Sequence, residues 1–350
     1  MPLLARMIAA PLVIDVRPGA VSSLGTLLAD RRIATSGRVA VAVGPSQGNS
    51  IAADLEIEEA EIFRVPDGSH DSAVTLGKRL RAGAYEAVAG IGGGKTIDVT
   101  KFAANMAGIP MVAVATSLSH DGICSPISSL EHESGKGSFG VVMPVAVVVD
   151  LDRVRCAPDP MKKAGIGDVI CNLSAVADWE LSAVDTGEHV DGLAAAMART
   201  AAHAVLHQPG DSSSDEFLTV LAESLILSGM AMAVAGSSRP GSGADHEIMH
   251  AIDQLYPGTA SHGELAGVGA VFSSHLRGDH AQAELLAACL ARHGLPRTPD
   301  EIGLSKADFV KAVVFAPGTR PGRYTILERL ALSETDIADR VEEYVRAISG

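Results

Sequence analysis

The 350-residue chain is longer than one ordinary core requires and suits two domains. Its 47% hydrophobic and 20% charged composition is that of a chain that buries extensive surface, which excludes intrinsic disorder. A formal net charge of -14 with no basic stripe excludes a nucleic-acid surface. Any anionic ligand must then be met by locally gathered cations or backbone amides.

The opening stretch MPLLARMIAAPLVIDV is apolar but interrupted by Arg6, two prolines and Asp15. It is too short and broken for a membrane span and reads as an entry strand, with a signal peptide as the other reading. Short Val-, Ile- and Ala-rich runs then predict strands over 38–44, 61–66, 87–92, 111–116 and 145–150. Helical stretches fill the gaps at 19–30, 71–83 and 96–107, the alternation of a parallel α/β sheet. Beyond Ala164 apolar residues recur at i, i+3 and i+4, predicting helices over 167–184, 191–207, 215–235, 244–255, 263–276, 280–293, 305–315 and 335–348. Pro158 and Pro160 interrupt both periodicities, so the expected division is an α/β dinucleotide-binding domain over 1–157 and an all-α domain over 158–350. Cys124, Cys156, Cys171 and Cys289 form no CxxC pair, which fits reduced thiols in a cytoplasmic protein.

Three segments carry chemistry. In AVAGIGGGKTIDVTKFAA, Gly92, Gly93 and Gly94 stand between an apolar strand and an amphipathic helix. Glycine lets backbone approach a pyrophosphate, and the helix start offers free amides, although the same glycines also suit a plain tight turn. The spacing is neither a Walker loop nor GxGxxG. Asp98 suits the dipole of that first turn as well as a ligand. A polar turn with Thr116, Ser117, Ser119, His120, Asp121 and Ser125 follows the next strand and suits either nucleotide contacts or helix capping. In the helical half, His246 and His250 are spaced i, i+4 on one helix face, and His262 follows a Pro-Gly turn. Asp168 sits among apolar and small residues, where a divalent metal would compensate its charge. Any one histidine is more often a structural or surface residue than a ligand; the combination points to a metal centre.

GIGGGKTIDVTKFAA, ATSLSHDGICSPIS, APDPMKKAGIGDVICNLSAVADWELS, SSRPGSGADHEIMH and TASHGE follow one another in the order seen in glycerol-1-phosphate dehydrogenases, which this chain resembles from about Val88 to Glu264. That family is a branch of the dehydroquinate synthase and iron-containing alcohol dehydrogenase superfamily. The resemblance implies a dehydroquinate synthase-like fold, with an N-terminal nucleotide-binding domain, a helical C-terminal domain and the active site between them. It implies one zinc ion held by Asp168, His246 and His262, with Asp121 and His250 at the substrate as catalytic residues. Gly92, Gly93, Gly94, Lys95, Asp98, Thr116, Ser119 and Ser125 would contact NAD or NADP.

The implied reaction is reduction of dihydroxyacetone phosphate to sn-glycerol 1-phosphate, a step of phospholipid biosynthesis, in a cytoplasmic homo-oligomer that neither enters a membrane nor binds nucleic acid. Broader alcohol dehydrogenases of the superfamily have a ligand His four residues after the Asp, where this chain has Asn172. The segment 128–142 departs from the family pattern and is acidic; Arg239 and Lys136 are the candidate cations for a phosphate. A dehydrogenase of another phosphorylated or phosphonylated polyol, a cyclising lyase and a catalytically silent nucleotide-binding protein are the alternative readings.

Overall fold

The computed structural model describes residues 9–35, 38–54, 60–132 and 135–349. Its N-terminal part is one six-stranded sheet, parallel throughout, in the order β1-β8-β5-β4-β2-β3. The strands are β1 (Val13–Arg17), β2 (Val39–Val43), β3 (Glu61–Arg64), β4 (Ala87–Gly92), β5 (Met111–Ala115) and β8 (Ala146–Asp150). Between them run α1 (Leu24–Leu28), α2 (Gln47–Asp54), α3 (His70–Ala82) and α4 (Gly94–Ala107). A hairpin of β6 (Ile127–His132) and β7 (Gly135–Gly140) rises off the sheet. The expected entry strand is realised in β1, while Met1–Ile8 lie outside the described residues.

Strand alternation splits the core in two. Val39, Val41 and Val43 of β2 face the side covered by α1 and α2, whereas Ala40 and Ala42 face α3 and α4. The second layer is continuous with the core of the helical domain, where Val147 and Val149 share one cluster with Ile166, Leu225 and Phe272. Covered on both faces, β2 and β5 are apolar at every position and β8 at every position before its last residue, Asp150, which is why their sequences read as unbroken runs.

From Leu151 on, the chain is helical: α5 (Leu151–Arg155), α6 (Asp159–Ile170), α7 (Asn172–Thr186), α8 (Gly192–His207), α9 (Asp215–Ala235), α10 (Ala244–Leu255), α11 (His262–Leu276), α12 (His280–Arg292), α13 (Lys306–Phe315), α14 (Ile326–Leu330) and α15 (Glu334–Ser349). Among the described residues α9 alone is long and apolar enough to cross a membrane, but 61% of its apolar window is buried against neighbouring helices, as a core helix requires.

Three expectations are corrected. Residues 19–30 form a 3₁₀ turn over Ala20–Ser23 and then the short α1, not one helix. The single helix expected over 167–184 is two, α6 and α7, meeting at Cys171. Pro160 does not break α6: it stands in the first turn, where its missing N–H costs nothing. The hairpin β6-β7 and the helix α2 were not foreseen.

Candidate functional site

Helix α4 begins directly beyond β4, with Gly93 as its cap residue and no side chain capping its amides. The sheet's connections reverse between β2 and β4: α2 covers one face and α4 the other, so the carboxyl ends of these strands open a crevice. Backbone lines that crevice closely. A Cβ added to Gly44 or Gly92 would stand 2.5 or 2.7 Å from the hydroxyl of Thr96. Asp98, a turn into α4, is buried, and its Oδ1 has no hydrogen-bond partner among the described residues. The neighbouring ammonium of Lys101 lies 3.2 Å away but spends its donors on the carbonyls of Gly122, Ser125 and Ile127. A strand-end crevice of glycines, uncapped amides and an unsatisfied buried acceptor fits a dinucleotide with its phosphates and hydroxyls.

The loop after β5 carries His120 and Asp121 over that crevice toward the helical domain. Asp121 donates its backbone N–H to Asp168 Oδ2 at 2.8 Å, and its own Oδ2 accepts from the Ser228 hydroxyl at 3.0 Å. Asn172 Nδ2 donates to the Ser228 hydroxyl at 3.1 Å and so steadies Asp121 through Ser228. Burial and the Asp168 carboxylate raise the Asp121 carboxyl above its ordinary range.

Asp168 on α6, His246 on α10 and His262 at the start of α11 converge. His262 Nε2 is 3.2 Å from Asp168 Oδ1, His246 Nε2 is 3.7 Å from the same oxygen, and the two Nε2 atoms are 3.3 Å apart. Ligands at about 2.0–2.1 Å around one tetrahedral centre are about 3.3 Å apart, so these three atoms are spaced as a face of such a centre. His246 Nδ1 lies 2.7 Å from Asp245 Oδ1, the outer carboxylate that fixes a ligating imidazole. Burial opposes charge on Asp168, yet its bonds to both histidines hold the carboxylate below its usual range.

Asp168, Cys171 and His246 also offer ligand atoms within 4.8 Å of one another. Cys171, however, lies on the Nδ1 side of His246, at 3.9 Å, and its Sγ points at the carbonyls of Asp168 and Gly241. Burial and surrounding carboxylates push that thiol well above its ordinary range, away from the thiolate a metal binds. His262, on the Nε2 side, is the better third donor.

His250 faces the same chamber from one turn further along α10. Its Nε2 receives Arg320 Nη2 at 2.7 Å, and burial together with that guanidinium holds its pKa well below the histidine range. The chamber is small, about 60 Å³, with Asp98, Asp121, Ser125, His246, His250 and His262 on its walls. It shares Ser138, His250 and Arg320 with an open cleft of about 610 Å³. Of the other expected cofactor contacts, Thr116 is buried beside the glycine turn, Ser119 lies on the loop ahead of Asp121, and Lys95 is turned outward to Glu131 at 2.7 Å. Of the two candidate phosphate cations, Arg239 is engaged by Glu188 and Lys136 stands 3.3 Å from Asp253.

A model of the iron-containing alcohol dehydrogenase family matches residues 15–158. A glycerol-1-phosphate dehydrogenase [NAD(P)+] of Hyperthermus butylicus is 36% identical over 330 residues, 92% of this chain and 94% of the relative. Another, from Thermofilum pendens, is 42% identical over 284 residues, 80% of each chain. The chain belongs to the glycerol-1-phosphate dehydrogenase family. Its fold is also that of a solved structure described as a probable glycerol dehydrogenase from Sinorhizobium meliloti 1021, with a TM-score of 0.81 at 22% identity and 99% coverage of both chains.

Within the glycerol-1-phosphate dehydrogenase frame, sequence reasoning missed Asp245 and Arg320. Asp245 was within reach of it, since an acid beside a metal-site histidine is a standing partner for the second ring nitrogen. Arg320 follows a 3₁₀ turn 70 residues after His250 and carries no local signal of its place.

Proposed function

We propose that this chain reduces dihydroxyacetone phosphate to sn-glycerol 1-phosphate with NADH or NADPH, using one zinc ion held by Asp168, His246 and His262. The convergence of those three donors beside the glycine-lined crevice carries the reading. Zinc at that centre would supply a Lewis acid for the ketone oxygen, and the reduced nicotinamide would supply the hydride. The residues of the chain do the rest. Asp245 holds the His246 ring so that Nε2 faces Asp168 and His262. Gly92, Gly93 and Gly94 leave room for a pyrophosphate, and Asp98, Thr116, Ser119, Ser125 and Lys95 make up the remaining cofactor contacts.

Asp121 and His250 handle the proton that the product hydroxyl needs. Arg320 can only donate, so His250 accepts at Nε2 and carries its proton on Nδ1 while that bond lasts. Asp121, held by Ser228 and by its amide bond to Asp168, is the fixed partner.

The same reading divides the chain into a cofactor domain over 1–157 and a metal and substrate domain over 158–350. The end of the sheet at Asp150 and the start of α6 at Asp159 support that division. It also makes the protein a cytoplasmic homo-oligomer, in keeping with four unpaired cysteines. The test follows NADH and NADPH absorbance with zinc-loaded protein and dihydroxyacetone phosphate, beside His246→Ala, and identifies the enantiomer formed. Zinc-dependent oxidation yielding sn-glycerol 1-phosphate is expected; folded, zinc-bound protein that leaves this ketone untouched would sink the reading.

A further inference from the structure

A protein of net charge -14 gathers cations only where something holds them together. Among the described residues other buried guanidinium groups are matched by an acid: Arg239 by Glu188 and Arg277 by Asp178. Arg320 and Arg323 are different. Among the described residues no carboxylate oxygen lies within 4 Å of either guanidinium, although both are half-buried. Arg320 reaches only His250 Nε2 and, at 3.4 Å, Ser138 Oγ, both through Nη2. Arg323 donates only to the Ser242 carbonyl and, at 2.8 Å, to Ser238 Oγ.

These two side chains line the open cleft of about 610 Å³, and Arg320 stands where the cleft meets the chamber. Burial first, then the charges of Arg320 and Arg239 close by, lower the Arg323 guanidinium to about 10, with Glu247 and Asp245 opposing the shift. The acids that face this corner do not cancel it. Glu188 on the cleft wall is held by Arg239, Asp253 is held by Lys136 and Asp245 is engaged by His246 Nδ1, while Glu247, which accepts from Thr325, lies more than 4 Å from both guanidinium groups.

We propose that Arg320 and Arg323 form an anion cradle that binds the phosphate monoester of the substrate and sets the preference for a phosphorylated ketone. The inference rests on the reading of this site as one that reduces a small ketone. The chamber is small beside the open cleft it joins, so a ketone whose carbonyl end sits at Asp168, His246 and His262 directs its other end toward the cleft. Arg320, on the wall common to chamber and cleft, separates the two ends of such a molecule. Three of its five N–H donors, those on Nε and Nη1, have no protein partner among the described residues, and a guanidinium fork matches two phosphate oxygens. Arg323 adds the second charge that a dianion calls for.

The test compares wild type, Arg320→Ala, Arg320→Lys and Arg323→Ala, all zinc-loaded and checked for folding by circular dichroism. The kcat/KM for dihydroxyacetone phosphate is divided by that for dihydroxyacetone. We expect this ratio to fall by about 30-fold or more in Arg320→Ala, chiefly through KM for the phosphate ester, and by less in Arg320→Lys, which keeps the charge without the fork. Calorimetric titration with inorganic phosphate should show binding to wild type weakened at least tenfold in Arg320→Ala.

A ratio unchanged while both substrates lose equally would assign Arg320 a merely structural role and overturn the proposal. A higher KM for NADPH, with NADH and the ketone unaffected, would overturn it in favour of a cofactor phosphate. If wild type reduces no phosphorylated ketone, the functional reading fails separately. Inorganic phosphate then decides the cradle alone: weaker binding in Arg320→Ala supports it, and equal binding overturns it.

Discussion

His293 lies against the ring of Phe217, centroids 4.6 Å apart, with Arg292 Nε donating to its Nε2 at 3.3 Å and its buried Nδ1 without a partner. Burial, then the Arg292 charge, lowers its pKa to about 4; Lys163 adds to that effect and Asp211 opposes it. The folded chain therefore resists a proton that the unfolded chain takes near pH 6.5. The stability this confers is complete above about pH 6.5 and is lost as pH falls toward 4, up to about 3 kcal/mol. His293→Phe keeps the ring contact and removes the titration. Denaturant unfolding from pH 7 to pH 4 should show a shallower loss in the variant; the same slope in both proteins would refute this account. The residue also shows what spacing cannot reveal. His246 and His250 were legible because i, i+4 places them on one helix face, whereas the burial of His293 depends on Phe217, 76 positions earlier.

At the scale of elements, the metal candidates meet because α6 and α11 touch backbone to backbone. A Cβ on Gly263 would stand 1.8 Å from the Ala164 carbonyl oxygen, and one on Gly167 would stand 2.1 Å from the carbonyl oxygen of Gly263. No side chain at the contact can swing aside, so a methyl group must push the helices apart. Asp168 and His262, 3.2 Å apart across this seam, would separate with them. Gly263→Ala should therefore cost about 3 kcal/mol in denaturant unfolding and bind less than one zinc per chain by elemental analysis; full zinc content at wild-type stability would disprove the seam. Periodicity announced the apolar strands and helices such as α9 and α10, since each buries a full strand or a continuous helical stripe. It could not announce β7, where Gly135, Gly137 and Gly140 leave little apolar pattern, nor the start of α6, where two prolines imitate a break.

Across the whole molecule the candidate centre joins parts that are far apart in sequence. Asp168, His246 and His262 bring three helices of the C-terminal domain together, and Asp168 Oδ2, through the Asp121 amide, adds the loop that leaves the sheet. Of this assembly the sequence offered the residue types and their order along the chain; the closeness of α6 to α11 and the bridge to Asp121 are products of packing. An ion bound by all three ligands exists only in the folded state, so binding must stabilise that state by mass action. With free zinc at about a thousand times its Kd the gain is about 4 kcal/mol, or about 5 °C in Tm for a chain of this length. Chelator-stripped protein should therefore melt about 5 °C below the zinc-loaded form in scanning calorimetry and recover when zinc returns. Asp168→Asn should respond to neither treatment, because it loses an anionic ligand while keeping an oxygen that can still accept the Asp121 amide. A zinc response in Asp168→Asn as large as in wild type would move the ion to other donors, and Cys171 beside His246 would be the first to examine.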